Sequence, residues 1–258
     1  MSVRDRSEGS DELRTGAGLA LRSSGLSVTF DGIKAVQDVD LELRHREILG
    51  LIGPNGAGKT TLTNALTGFA AYSGRLSVDG ADVTGWRAHR LARFGVRRSF
   101  QAVRLFHGMS VRENVEVAAL GCGLSSRDAR AAATEALNAF GLGRHAASSA
   151  DALPYGDERR LGIARAAVGN PRYLILDEPA AGLNEEESDV LFEQLDAVPE
   201  MFGCGLLLIE HDMRLVMRLC HRIHVIDHGR TLAIGTPEQV RSDPAVIDAY
   251  LGSGARHD

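Results

Sequence analysis

The feature that most constrains this chain is an eight-residue loop, Gly53-Pro54-Asn55-Gly56-Ala57-Gly58-Lys59-Thr60, set directly behind the apolar run Ile48-Leu-Gly-Leu-Ile52. The loop satisfies G-x-x-x-x-G-K-[ST]. Its glycines let backbone N–H groups turn inward around a phosphate chain. A helix starting behind them directs its positive end at the same anion. Lys59 supplies a point charge for β- and γ-phosphates, and the Thr60 hydroxyl can ligate Mg2+. Only Lys34 and Lys59 among the 29 basic residues are lysines. In so lysine-poor a chain, the lysine of a glycine loop is a poor candidate for a chance residue in a tight turn.

Tyr173-Leu-Ile-Leu176 and Leu206-Leu-Leu-Ile209 resemble the run before the loop, being short and wholly apolar. Such runs fit parallel strands covered on both faces. The stretches between them are long enough for helices, which gives a βαβ pattern and an α/β fold. Ligands of such folds lie at the carboxyl ends of the strands. The polar groups there are Lys59, Asp177, Glu178, Glu210 and His211. Asp177 is placed to face a Mg2+ shell, and Glu178 to hold and polarise an attacking water as general base.

Residues 38–43 alternate polar and apolar, which predicts a half-buried strand with Val39, Leu41 and Leu43 inward. Gly74 to Gly80 reads as a second short strand, so a small antiparallel sheet is expected beside the parallel one. The Ala-rich stretch 111–150, with Ala129, Ala132, Ala133, Ala136, Leu137 and Phe140 at helical spacing, predicts a helical subdomain over about 100–160. It would be inserted between two halves of the α/β core. Residues 1–24, rich in Ser, Gly and charge, read as a tail, with order beginning near Gly25. Ser242-Asp-Pro-Ala opens a short helix to Leu251, leaving 252–258 as a second tail.

Composition excludes other classes. Hydrophobic residues at 44% and charged residues at 24% rule out wholesale disorder. No run approaches the roughly 18 apolar residues of a membrane helix, and the N-terminus lacks the apolar core of a secretion signal. The expected location is the cytoplasm, or the cytoplasmic face of a membrane reached through partners. A net charge of −5 argues against a general nucleic-acid partner. Cys122, Cys204 and Cys220 fit neither a disulfide framework nor a zinc pattern and read as small buried thiols. His221, His224 and His228 straddle a predicted strand and turn, a poor arrangement for a metal site. A GTPase would need an Asn-Lys-x-Asp base reader, which the chain lacks.

Over residues 25–251 the chain resembles the ATP-binding subunits of ABC transporters. The most specific likeness is Leu153-Pro-Tyr-Gly-Asp-Glu-Arg-Arg-Leu-Gly-Ile-Ala-Arg165, which is similar to the family signature Leu-Ser-Gly-Gly-Gln and its helix. The resemblance implies a P-loop NTPase (RecA-like) core with an antiparallel β subdomain and an inserted α-helical subdomain. It implies ATP and Mg2+ as ligands and ATP hydrolysis coupled to transport. Gly53 to Thr60, with Thr61, would cradle the nucleotide, and Phe30 would stack on adenine, although one aromatic would serve equally as core. Thr60, Asp177 and Gln101 would face the metal. Glu178, His211 and Gln101 would serve hydrolysis, with Gln101 also coupling to membrane subunits. Tyr155, Gly156 and Asp157 would face the nucleotide held by an opposite subunit.

The signature departs from the family pattern. Pro154 stands for the usual serine, Tyr155 for the first glycine and Asp157 for the glutamine, while Gly156 is kept. Proline brings neither a hydroxyl nor an N–H, so two donors are missing. The loop after Glu178 ends in Asn184 where many relatives have aspartate. A chain with a full phosphate loop and a weak signature is expected to pair with a second, different ATPase subunit as a heterodimer. The other implied partners are two transmembrane permeases and, indirectly, a periplasmic or lipid-anchored solute-binding protein. The runs Tyr155-Gly-Asp-Glu-Arg-Arg-Leu161, Asp177-Glu-Pro-Ala-Ala-Gly-Leu-Asn184, Ile209-Glu-His-Asp-Met-Arg-Leu-Val-Met217 and Gly235-Thr-Pro-Glu-Gln239 resemble the LivG-type subunits of branched-chain amino acid importers. Urea or amide importers, lipid or lipopolysaccharide exporters and soluble ABC ATPases acting on nucleic acid are the other readings.

Overall fold

The three apolar runs form the middle of one sheet. The computed structural model describes residues 18–100 and 104–254. In it β3 (Ile48–Ile52), β7 (Tyr173–Asp177) and β8 (Gly205–Ile209) are buried along their whole length. With β6 (Val96–Arg98), β9 (Arg222–Asp227) and β10 (Arg230–Gly235) they make a six-stranded sheet of order β10-β9-β3-β8-β7-β6. Pairing is parallel except between β9 and β10.

Side chains of a strand alternate between faces, so a wholly apolar strand feeds two cores. Ile48, Ile52, Leu174, Leu176, Leu206 and Leu208 enter one core with α3 (Val111–Gly121), α4 (Ser126–Ala139), α5 (Tyr155–Ala167), α6 (Glu185–Phe202) and α7 (Met213–Leu219). Leu49, Leu51, Ile175, Leu207 and Ile209 enter the other with α1 (Lys59–Leu66), α2 (Ala88–Phe94) and the second sheet. That sheet is antiparallel, formed by β1 (Ala20–Phe30), β2 (Ile33–Arg44), β4 (Ser73–Val78) and β5 (Ala81–Asp82) in the order β2-β1-β4-β5. Val39, Leu41 and Leu43 point inward, on the face read from the alternation.

Order does not begin near Gly25. β1 starts at Ala20, and Gly25, at φ 61°, lies at a register shift inside it, where its N–H donates to Asp40 Oδ1 at 2.7 Å. Polar residues hid the strand because their hydrogen bonds are met within the sheet. Ser23, only 3% exposed, donates to Val39 O at 3.2 Å and accepts from Leu41 N at 3.0 Å.

Between β6 and β7 lie α3, α4 and α5. Ser110 and Glu113 form a capping box on α3, and Ser125 caps α4. Ala129, Ala133, Ala136 and Leu137 are the buried face of α4. α5 crosses the expected boundary at 160 and runs to Ala167. After β10 come α8 (Pro237–Arg241) and α9 (Pro244–Gly254), the latter continuing past the expected end at Leu251. Its first turn is tied by Ala245 N–H donating to Asp243 Oδ1 at 2.8 Å. Among the described residues no helix is long and apolar enough to cross a membrane. Cys204 and Cys220 are buried, which pushes both thiols up to about 12, whereas Cys122 is half-buried.

The three clustered histidines have separate surroundings. His221 Nδ1 accepts from Ile48 N at 3.0 Å, and His228 sits in the exposed turn between β9 and β10. His224, 1% exposed, pairs with Thr231 Oγ1 at 2.8 Å, and burial and Arg222 lower its pKa to about 4. Its folded value lies below the unfolded one of 6.5. The unfolded chain therefore binds more protons between those values, and stability falls as pH drops from 6.5 toward 4. The expected contribution is up to about 3 kcal/mol. Urea titrations at pH 7 and pH 4.5 should show a smaller acid loss in His224→Gln than in wild type. An equal loss would contradict the assignment.

Candidate active site

β3 delivers the chain to the glycine loop, and two glycines make the turn possible. Gly53 has φ 156°, and a Cβ there would lie 2.0 Å from Ile226 O on β9. Gly58 has φ 103°, and its Cβ would lie 2.6 Å from Ala35 O. Side chains at either position would push the loop off the sheet. Gly58 is also the N-cap of α1 and supplies no side chain to cap it. The first-turn N–H groups are left to an outside acceptor. Lys59 Nζ donates back to Gly53 O at 2.6 Å and Pro54 O at 3.0 Å, which closes the loop into a ring. Burial lowers the Lys59 pKa, while the charges of Glu178 and Asp177 work in the opposite direction.

Two carboxylates end β7. Asp177, 8% exposed, is gripped at Oδ2 by Arg98 Nη2 at 2.5 Å. Arg98 in turn gives Nη1 to Asn64 Oδ1 at 2.6 Å. Glu178 has φ 47°, a left-handed conformation that a non-glycine residue holds only under constraint. The constraint is its N–H, which donates to Ile209 O at 2.9 Å and carries the sheet pairing one residue past the strand. This turns the half-buried side chain toward His211, whose Nδ1 is 3.9 Å from Glu178 Oε1. His211 is itself exposed.

Glu210 lies beneath that pair, its side chain 1% exposed. Its Oε1 accepts from Ala180 N at 3.0 Å and its Oε2 from His211 N at 3.3 Å. Burial raises its carboxyl pKa. It ties the loop after Glu178 to the loop bearing His211.

α5 opens at Pro154, which provides no side-chain cap, so its first-turn N–H groups also point outward. Tyr155 is exposed, donates its hydroxyl to Ala181 O at 3.0 Å and accepts from Arg159 Nε at 2.9 Å. Gly156 is buried, and a Cβ there would meet Glu187 Oε1 at 2.8 Å. Asp157 does not present its carboxylate outward, as the family resemblance implies it would. It is 6% exposed and paired with Arg160 and, at 3.8 Å, with His145. A free carboxylate facing a phosphate would repel it, and the contacts with Arg160 and His145 hold it inward instead. Asn184 caps α6 in a reciprocal box with Glu187.

Phe30, at the end of β1, is 52% exposed and therefore is not core. Gln101 lies outside the described residues. A cavity of about 740 Å3 runs from Thr60, Asn64 and Asp177 past Arg98 and Phe100 to Arg159 on α5. The threonine hydroxyl and the carboxylate in its lining are the hard oxygen donors that Mg2+ takes alongside phosphate and water. The residues present fit such an ion. Arg98 and Asn64 escaped the sequence reading. Asn64 follows Thr60 by one helical turn, the one signal that places it on the same face.

This is a P-loop nucleotide-binding fold with two carboxylates and a histidine at the strand ends. The ABC transporter family model matches residues 36–181, and a branched-chain amino acid ATP-binding cassette transporter model matches residues 230–256. The chain is 47% identical to the high-affinity branched-chain amino acid transport ATP-binding protein LivG of Salmonella typhimurium, over 90% of this chain and 97% of that protein. It is 45% identical to BraF of Pseudomonas aeruginosa, described in the same words, with the same coverage. The crystal structure of the ADP conformation of MJ1267, an ATP-binding cassette of an ABC transporter, superposes with a TM-score of 0.79 at 27% identity, covering 91% of this chain and 99% of that one. The chain belongs to the ABC transporter family and is one of its ATP-hydrolysing subunits.

Proposed function

We propose that this chain powers an importer of branched-chain or other hydrophobic amino acids from the cytoplasmic face of the membrane. The observation that carries the reading is the convergence of the Lys59 loop, Asp177, Glu178 and His211 at the carboxyl ends of β3, β7 and β8. The solute class is supported by the likeness to LivG and BraF and by the match over residues 230–256. The solute itself would be handled by permeases and a binding protein.

The loop N–H groups that follow Pro54, which has none, together with those of Lys59, Thr60 and Thr61 in the first turn of α1, cradle the β- and γ-phosphates of ATP. Lys59 gives up its loop carbonyls for phosphate oxygens, an exchange that strengthens with the charge of the acceptor. Phe30 covers the adenine. Thr60 and Asp177, with Gln101, would hold Mg2+, which when bound neutralises phosphate charge and orients the γ-phosphate. Glu178 accepts the proton of the attacking water, and His211 beside it contacts the γ-phosphate. Glu210 fixes both loops. The remaining donors come from the α5 N-terminus of a neighbouring subunit. Closure of two subunits around ATP, and reopening after hydrolysis, follows from contacts that ADP cannot make.

This chain offers its partner an α5 N-terminus led by Pro154, with Asp157 turned inward. The site on this chain's own phosphate loop is complete only with a better signature, so the working unit is a heterodimer with a second ATPase subunit. ATP turnover of the purified chain is expected to be at least about tenfold below that of the chain assembled with a second ATPase and two permeases. Equal rates per site would contradict the heterodimer.

A further inference from the structure

Asp177 is placed to hold a cation, yet one of its oxygens already has one. Arg98 Nη2 lies 2.5 Å from Asp177 Oδ2, with the two side chains 4% and 10% exposed. The guanidinium is fixed at its other end, where Nη1 donates to Asn64 Oδ1 at 2.6 Å. Its carbon lies 5.2 Å from the centre of the Phe100 ring. Its Nε is buried and has no acceptor among the described residues, so the grip depends on Asp177 and Asn64. The short strand β6 sets the arrangement, since Arg98 pairs in register with Ile175, two residues before Asp177. Asn64 comes from α1, one turn beyond Thr60.

We infer that Arg98 is a positioning residue that makes divalent-cation binding at Asp177 conditional on nucleotide. The inference rests on the proposed role of Asp177 as a metal-facing carboxylate. In the nucleotide-free chain Arg98 satisfies Asp177 and largely cancels its charge. Lys59 adds a second positive charge in the same field. Arg98 offsets Asp177 and Lys59 offsets Glu178, so a divalent ion arriving alone meets little net negative charge and the one oxygen of Asp177 that Arg98 does not hold. What that oxygen offers does not repay the dehydration of a small hard cation. A triphosphate in the loop reverses the balance. Its oxygens engage Lys59 and supply the negative charge and most of the ligands that a small hard cation requires. The metal then arrives with ATP, and the empty subunit is spared a futile metal-bound state. Throughout, Arg98 fixes the direction in which Asp177 presents its second oxygen.

The test is binding of Mn2+, a paramagnetic probe for the Mg2+ site, followed by electron paramagnetic resonance on the full chain with and without ATP. Wild type is expected to bind Mn2+ at least about tenfold more weakly without ATP than with it. Arg98→Gln removes the charge and keeps a polar group beside Asn64. It is expected to bind Mn2+ without nucleotide about tenfold more tightly than wild type, and Asp177→Asn in the same chain should abolish that gain. A residue of structural importance alone would lower the melting temperature without creating cation affinity. The inference is overturned if wild type binds Mn2+ equally well with and without ATP. It is also overturned if folded Arg98→Gln gains nothing while wild type with ATP still binds, which leaves the metal role of Asp177 standing. No binding by wild type even with ATP overturns that role and the inference together. Should Arg98→Gln fail to fold, Arg98→Met, of similar length and without charge, takes its place with the same expected and contradicting results.

Discussion

Glu178→Gln is expected to bind ATP and fail to cleave it. The amide keeps the size of the side chain and its place one residue past β7, so the loop geometry set by the Glu178 N–H and Ile209 O bond at 2.9 Å survives. What is lost is the proton acceptor. General-base catalysis is worth about 10²–10⁴-fold, and single-turnover hydrolysis should slow by that order. Because reopening depends on removing the γ-phosphate, the ATP-bound pair of subunits should accumulate and run as the larger species on gel filtration. Near-normal turnover in this variant would mean that another group takes the proton. His211, at 3.9 Å from Glu178, would then be the first candidate.

Lys59→Ala is expected to act one step earlier, on affinity. Lys59 is the one lysine in the cradle, and it closes the loop through Gly53 O and Pro54 O. Its removal takes away a charge-assisted contact to the phosphates and loosens the ring that presents the N–H groups. Losing one partner of such a charge pair costs roughly 2–5 kcal/mol. ATP affinity measured by calorimetry should therefore fall by at least about 30-fold. The fold should be unaffected, since the loop bonds lie at the surface end of β3 and leave both cores intact. An unchanged affinity would place the phosphates elsewhere.

The parallel core was legible because it depends on local pattern. Wholly apolar runs such as Leu206 to Ile209 have few uses other than a strand covered on both faces. The glycine loop was legible because its function is written in consecutive residues. The start of β1 is hidden in the sequence because Ser23 and Ser24 look like tail residues, and the hydrogen bonds that make Ser23 acceptable come from β2. The inward turn of Asp157 is hidden because a motif gives position along a helix and says nothing of its neighbours. Arg160 and His145 decide where that carboxylate turns. Arg98 was one arginine among many in the sequence. Its meaning lies in contact with Asp177, which is 79 residues away in the chain and adjacent only once β6 pairs with β7. Glu210 was seen as a polar strand end, but its task of joining Ala180 to His211 requires the folded sheet.

The central claim is that the loop ending at Lys59 and the carboxylates ending β7 form one site around a triphosphate. A crystal structure of the Glu178→Gln chain grown with ATP and Mg2+ tests it most directly. It should place the phosphates on Lys59 and the α1 N-terminus, with the metal between Thr60 and Asp177. Nucleotide bound away from that loop, or an empty loop in crystals saturated with ATP and Mg2+, would contradict it.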